Sequence, residues 1–185
     1  MSYAHFLKTI TPKSTKALRE IIEKTIYDQG YNCNLNFIDT SLITNMSELF
    51  AGSKFNGDIS EWNVSDVLDM SGMFEYSEFN GDLSKWNVSN VLSMASMFDR
   101  SVFNGDISAW NVSKVIDMKF MFEDSEFNGD ISKWNVSNVL DMRWMFCRSK
   151  FNGDISGWNV RNVEKMDNMF HMSPLAGNEP AWFLA

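Results

Sequence analysis

The sequence has little with which to carry out covalent or metal chemistry. Two cysteines, Cys33 and Cys147, and two histidines, His5 and His171, stand among 185 residues. The cysteines are far apart and imply no disulfide framework. A Cys or Ser nucleophile needs an adjacent base, and the histidines fall at unrelated places, one before the first helix and one late in the chain. Gly-rich phosphate loops, zinc-ligand spacings and catalytic carboxylate pairs are absent. No enzyme activity, catalytic residue, cofactor or metal site is therefore expected. Basic residues are also few, 16 Lys and Arg against 24 Asp and Glu, giving a net charge of −8 and a pI near 4.7. Nucleic-acid binding needs a basic stripe to neutralise phosphates, so direct binding of nucleic acid is not expected. Nowhere do some 18 apolar residues run together, and Met1-Ser2-Tyr3-Ala4-His5-Phe6 opens no basic region followed by an apolar run. The chain as given reads as cytoplasmic with no membrane span; a chain already trimmed of a leader would look the same and would belong at the cell surface or outside.

What is abundant is Phe, Met and Trp, at 15, 13 and 7, and a repeat explains the excess. Phe55, Phe79, Phe103, Phe127 and Phe151 recur at an interval of 24, as do Trp62, Trp86, Trp110, Trp134 and Trp158. Each copy reads Phe-Asn-Gly-Asp-Ile/Leu-Ser-x-Trp-Asn-Val and continues to a Met, a second Met three residues on, and a Phe, as in Met94, Met97 and Phe98. A fixed period of this size marks an array in which each unit buries its apolar face against its neighbours. Tyr31, Leu35, Ile38, Ile43, Met46 and Phe50 fall on the same columns and make residues 31–54 a degenerate first unit. At the far end Leu175 and Trp182 begin a truncated seventh. Before the array, Ala17, Leu18, Ile21, Ile22 and Ile26 form an i, i+3, i+4 stripe ending at Gly30, which predicts a helix at about 14–29. The chain divides into an N-terminal segment with a capping helix, 1–30, and a repeat array, 31–185, of six units and the truncated seventh, all in one domain.

Within a unit, Asn-Gly-Asp is a turn signal, with Gly57, Gly81, Gly105, Gly129 and Gly153 available for positive φ. The β-branched and aromatic Ile-Ser-x-Trp-Asn-Val segment predicts a strand, and Val-x-x-Met-x-x-Met-Phe one turn of 3₁₀ or α helix. Stacked strands at ~4.8 Å would give one parallel sheet.

The unit Phe-Asn-Gly-Asp-Ile-Ser-x-Trp-Asn-Val-Ser-x-Val-x-x-Met-x-x-Met-Phe-x-x-Ser resembles the repeat of bacterial BspA-like leucine-rich-repeat surface proteins and of mycoplasma and gut bacterial lipoproteins, over about residues 31–182. The resemblance implies a right-handed, leucine-rich-repeat-like solenoid that binds other proteins, and no catalytic residues. Together with the strand and helix readings it sets the expected fold class: an α+β repeat solenoid with one parallel β-sheet and an N-terminal capping helix.

The recurring polar columns read first as structural. Asp58, Asp82, Asp106, Asp130 and Asp154 suggest calcium only weakly, with one acid per unit, and are expected to hydrogen-bond turn N–H groups. Asn63, Asn87, Asn111, Asn135 and Asn159 read as an internal ladder satisfying backbone groups. Function is expected in the variable columns. Phe120 and Trp144 stand on consecutive units where Glu48, Gly72, Ser96 and Asn168 stand elsewhere, with Lys119 and Arg143 beside them. A helical turn would add Tyr76, Arg148 and Met172 from the column four residues on. Such an aromatic and Arg cluster has the composition of an interface hot spot; equally, Phe120 and Trp144 read as a cover for the convex side. Two functions follow: a binding module for another protein, whether host, bacterial or phage, or an acidic decoy occupying a nucleic-acid-binding or enzyme surface. Asp69, Asp117 and Asp141, and Glu75, Asp99 and Glu123, would supply the decoy's charge.

Overall fold

The computed structural model describes residues 9–183. His5 and the export-signal reading lie outside them. Helix α1 runs Thr15–Gln29. Ser14 caps it, its side chain accepting from the Ala17 N–H at 3.2 Å, which satisfies one of the orphan donors of a helix start. Gly30, at φ 88, ends it by donating to the Ile26 carbonyl. Leu18 and Ile22 on the buried face belong to one apolar cluster with the repeat columns.

The units stack so that each residue lies beside its equivalents 24 positions away. Phe50, Phe74, Phe98, Phe122, Phe146 and Phe170 form one ladder with ring centroids 5.6–6.0 Å apart. Phe55, Phe79, Phe103, Phe127 and Phe151 form a second at 6.1–6.4 Å. The two ladders touch at 4.3–4.8 Å. Nearly every ring is fully buried, and a buried Phe contributes about 1.5–3 kcal/mol over an exposed one. Each Trp of the column from Trp62 to Trp182 donates its indole N–H to the carbonyl 27 residues earlier, Trp110 to Leu83 at 3.1 Å and Trp134 to Ile107 at 3.2 Å. The indole thus fills the core and bonds the unit beneath it.

The expected sheet does not form. Among the described residues, parallel pairing is confined to isolated bridges such as Asp69 with Ser93 and Ser93 with Asp117. Five lie beside the first Met of each unit, Ile10 with Ile38 and Asn34 with Asp58 stand apart at the start of the array, and none extends along the Ile-Ser-x-Trp segment, so the α+β solenoid with a parallel β-sheet is replaced by a stack of turns. The Trp segment cannot extend because it closes on itself: Trp110 N–H donates to Ile107 O at 3.1 Å and Val115 N–H to Val112 O at 3.0 Å. The Met segment is not a helical turn either. Met118, Phe120, Phe122 and Asp124 donate to the carbonyls of Asp141, Arg143, Met145 and Cys147 in the next unit at 2.8–2.9 Å. The N–H groups between them turn back, Met121 to Met118 O and Glu123 to Phe120 O. A strand inside a sheet donates and accepts on both sides; here the main chain donates forward and accepts from behind.

The glycines of Asn-Gly-Asp also act differently from expectation. Only Gly30, Gly52, Gly72 and Gly177 have positive φ. At Gly81, Gly105, Gly129 and Gly153 a Cβ would instead lie 2.7–2.9 Å from the ring of the Phe two residues earlier, and at Gly57 1.9 Å from the Cys33 carbonyl oxygen. Close approach, not positive φ, requires glycine there.

Candidate functional site

The polar columns are occupied by the fold. Oδ1 of Asp58, Asp82, Asp106, Asp130 and Asp154 accepts the N–H of the Ser two residues on at 2.9–3.0 Å, which is turn bonding as expected of the sequence. The backbone N–H of that Ser holds each of these five carboxyls below the usual range. Among the described residues, no group of three or more His, Cys, Asp and Glu is arranged to hold a metal ion. Asn63, Asn87, Asn111 and Asn135 do bond turn N–H groups, at 3.1–3.2 Å, but they are exposed, so the ladder is not internal. A second asparagine ladder went unread: Oδ1 of Asn56, Asn80, Asn104 and Asn128 accepts the N–H of the next Asn at 2.8–2.9 Å. Its signal was the invariant Asn after each Phe.

The variable columns sit on the Met turns. In the i→i+3 turn from Met118 to Met121 the third residue is Phe120, the place where a type II turn needs φ above zero. The whole column obeys: Glu48, Gly72, Ser96, Phe120, Trp144 and Asn168 have φ of 54–62. So does the column four residues on, with Tyr76, Arg100, Asp124, Arg148 and Met172 at 50–57. Gly and Asn take this conformation readily, whereas a bulky side chain there costs about 1–2 kcal/mol. Phe120 and Trp144 are nonetheless held there, at φ 58 and 60. They are half-buried and stacked, ring centroids 6.3 Å apart at 21°, and His171 meets Trp144 edge-on at 6.3 Å.

Of the other predicted residues, Lys119 and Arg143 flank this shelf but are committed to their own turns. Lys119 Nζ is 2.9 Å from Asp117 Oδ2. Arg143 donates through Nε at 3.0 Å and Nη2 at 2.7 Å to the two oxygens of Asp141. Tyr76, Arg148 and Met172 are exposed. Among the described residues, no hydrogen bond, ion pair or ring contact joins them to Phe120 or Trp144, because the helical turn that would have gathered them does not exist. Tyr76 instead lies under Arg100, whose guanidinium carbon is 4.9 Å from the ring centroid and whose Nη1 also bonds the Tyr76 hydroxyl.

Two features escaped the sequence reading. Leu68, Leu92, Ile116 and Leu140 stand on consecutive units, each 40–45% exposed. Main-chain bonds join them in register at 2.8–2.9 Å, making a narrow aliphatic ridge beside the bridges. Its signal was the aliphatic residue after the second Val of each unit. The other is Glu75, Asp99 and Glu123, one column whose last two members are 4% and 6% exposed; the sequence alone gave no reason to bury them.

These turns, ladders and uniform columns make the molecule a repeat protein whose variation is displayed on one set of turns. The chain belongs to the family described as Mycoplasma protein of unknown function, DUF285, whose sequence pattern matches residues 17–125 and 99–182. No curated protein and no solved structure matches it. No helix among the described residues is long and apolar enough to cross a membrane.

Proposed function

We propose that the chain is a non-enzymatic module that binds another protein through the Met-turn face, with Phe120 and Trp144 at the centre of the contact. The observation that carries the reading is two large aromatics kept on consecutive units at positive φ, in a column where Gly72 and Asn168 show that cheaper residues fit the same turn. Strained backbone under a half-buried aromatic pair points to use, and aromatic and Arg side chains are enriched in interfaces. Arg143, aligned by its bidentate pair with Asp141, and the half-buried Lys119 supply a charged rim. The likeness of the repeat to BspA-like surface proteins supports a protein as the partner. The acidic-decoy reading has thinner support: Asp117 and Asp141 are neutralised by Lys119 and Arg143, and Asp99 and Glu123 face inward. A photo-crosslinking amino acid at 120 or 144 should capture one partner in salt-resistant fashion, and the same probe at Lys85 on the Trp side should not. Capture at Lys85 alone, or capture abolished by moderate salt, would move the contact off the shelf or favour the decoy.

A further inference from the structure

Asp99 is the one buried side chain among the described residues with an oxygen, Oδ1, that has no hydrogen-bond partner. Its side chain is 6% exposed. The stacking places Glu75 on the unit before it and Glu123 on the unit after, in the same column. The cation within reach of Asp99 is Arg100, which serves three carboxylates and bonds none of them closely. Nη1 is 3.6 Å from Asp99 Oδ2, Nη2 4.0 Å from Glu123 Oε1 and Nε 3.8 Å from Asp124 Oδ2. It hydrogen-bonds instead to the Tyr76 hydroxyl. With every carboxyl ionised, Glu75, Asp99, Glu123 and Asp124 set four negative charges around one positive charge, partly out of water, an arrangement that favours taking up a proton. Glu123 also closes the turn that begins at Phe120, its N–H donating to the Phe120 carbonyl at 3.1 Å. Any loosening at Glu123 therefore reaches the shelf residue directly.

We infer that the Glu75, Asp99 and Glu123 column is a proton-operated latch, closed when Asp99 carries a proton and loosened, together with the Phe120 turn, when that proton is lost. Burial, and then the like charges of Glu123, Glu75 and Asp124, push the Asp99 carboxyl up to about 7 against the opposing pull of Arg100. The direction follows. A carboxyl that holds its proton more tightly folded than unfolded adds stability that is complete below the ordinary carboxylate value near 4 and is lost as pH rises through about 7. The latch therefore opens between mildly acid and neutral pH. It does not depend on what the shelf binds: a failed titration leaves the binding reading standing, and a shelf that captures nothing leaves the latch standing.

The test is a carbon-13 titration of the side-chain carboxyls in the full chain, with urea unfolding at pH 5 and pH 8. The Asp99 carbon should titrate far above the exposed Asp82 and Asp106. Its midpoint should fall in Glu75→Gln, which removes a like charge without touching Asp99. The unfolding equilibrium of the parent should rise on the order of tens-fold from pH 5 to pH 8 through this one group, and by no more than about twofold in Asp99→Asn. The Phe120 amide signal should move with the Asp99 midpoint in the parent and stay still in Asp99→Asn. Asp99 titrating in the ordinary carboxylate range, or an unchanged midpoint in Glu75→Gln, would overturn the latch even if Asp99→Asn proved too unstable to study.

Discussion

The Trp side and the Met side of each unit both send apolar side chains into the core, yet they hold the stack together differently. On the Trp side, past the first unit, the links from Phe to Trp come from side chains, indole to carbonyl and asparagine to the next asparagine's N–H, with a main-chain bond at the residue before each Phe. On the Met side they come from the main chain, four N–H groups per unit donating to the next. Side-chain links fix residue identity, and that side is nearly invariant from unit to unit. Main-chain links leave the outward side chain free, provided the backbone tolerates positive φ, and there the sequence varies. A repeat that must both stack and recognise something has reason to keep its variation where the bonds do not depend on the side chain.

Substitutions that attack each side separately sharpen this contrast. The largest loss is expected on the Trp side at mid-stack. Trp110→Ala removes a buried indole and leaves the Leu83 carbonyl with the Trp86 N–H alone, at a cost of about 3–5 kcal/mol in urea unfolding. Trp182→Ala, at the half-buried end, should cost much less. Equal losses would show that stacking on two neighbours is not what holds the indole.

Next come the glycines. Gly57→Ala drives a methyl into the Cys33 carbonyl and Gly105→Ala into the Phe103 ring, which should cost about 1–3 kcal/mol with Gly57 the worse, because backbone yields less than a ring. Gly157→Ala meets nothing within 4 Å and should be neutral within about 0.5 kcal/mol. On the Met side, Ser96→Gly relieves a φ of 56 and should stabilise by up to about 1 kcal/mol; a loss there would deny that these turns are strained.

Acid separates the two sides as well. The Ser N–H groups hold the Asp82, Asp106 and Asp130 carboxyls below their ordinary value, so their contribution is present above about pH 4 and is lost as pH falls further. Asp99 works in the opposite direction at higher pH. Asp106→Asn should blunt only the acid limb of the stability profile, read as urea midpoint against pH, and Asp99→Asn only the limb toward neutrality.

The period, the core columns, α1 with its Gly30 end, and the bonding of the Asp column were legible because each depends on which side chain stands where. The backbone links were not. Ile-Ser-x-Trp-Asn-Val has strand composition, but it carries a Ser and an Asn that bond locally, and nothing in a 24-residue spacing says which way an N–H points. The helical reading of Met-x-x-Met-Phe failed for a related reason. Apolar residues three apart suit a 3₁₀ turn and also a type II turn, and Phe120 and Trp144 conceal positive φ, where Gly or Asn would have announced it. Of the candidate site, the Phe120–Trp144 pair with Lys119 and Arg143 was readable from column comparison. Tyr76, Arg148 and Met172 were attached to it by a helix that is not there.

The central claim is that Phe120 and Trp144 are kept for recognition and not for packing, and urea unfolding of the Phe120→Gly/Trp144→Asn double variant tests it without any partner. Both replacements are borrowed from the same column, Gly72 and Asn168, and take its positive φ readily. The lost ring stacking, about 0.5–1.5 kcal/mol, and the relieved backbone strain, about 1–2 kcal/mol, oppose one another, so the account predicts a stability within about 1 kcal/mol of the parent. A loss of about 3 kcal/mol or more, the size of a core substitution, would mean that the two rings are there to cover the fold.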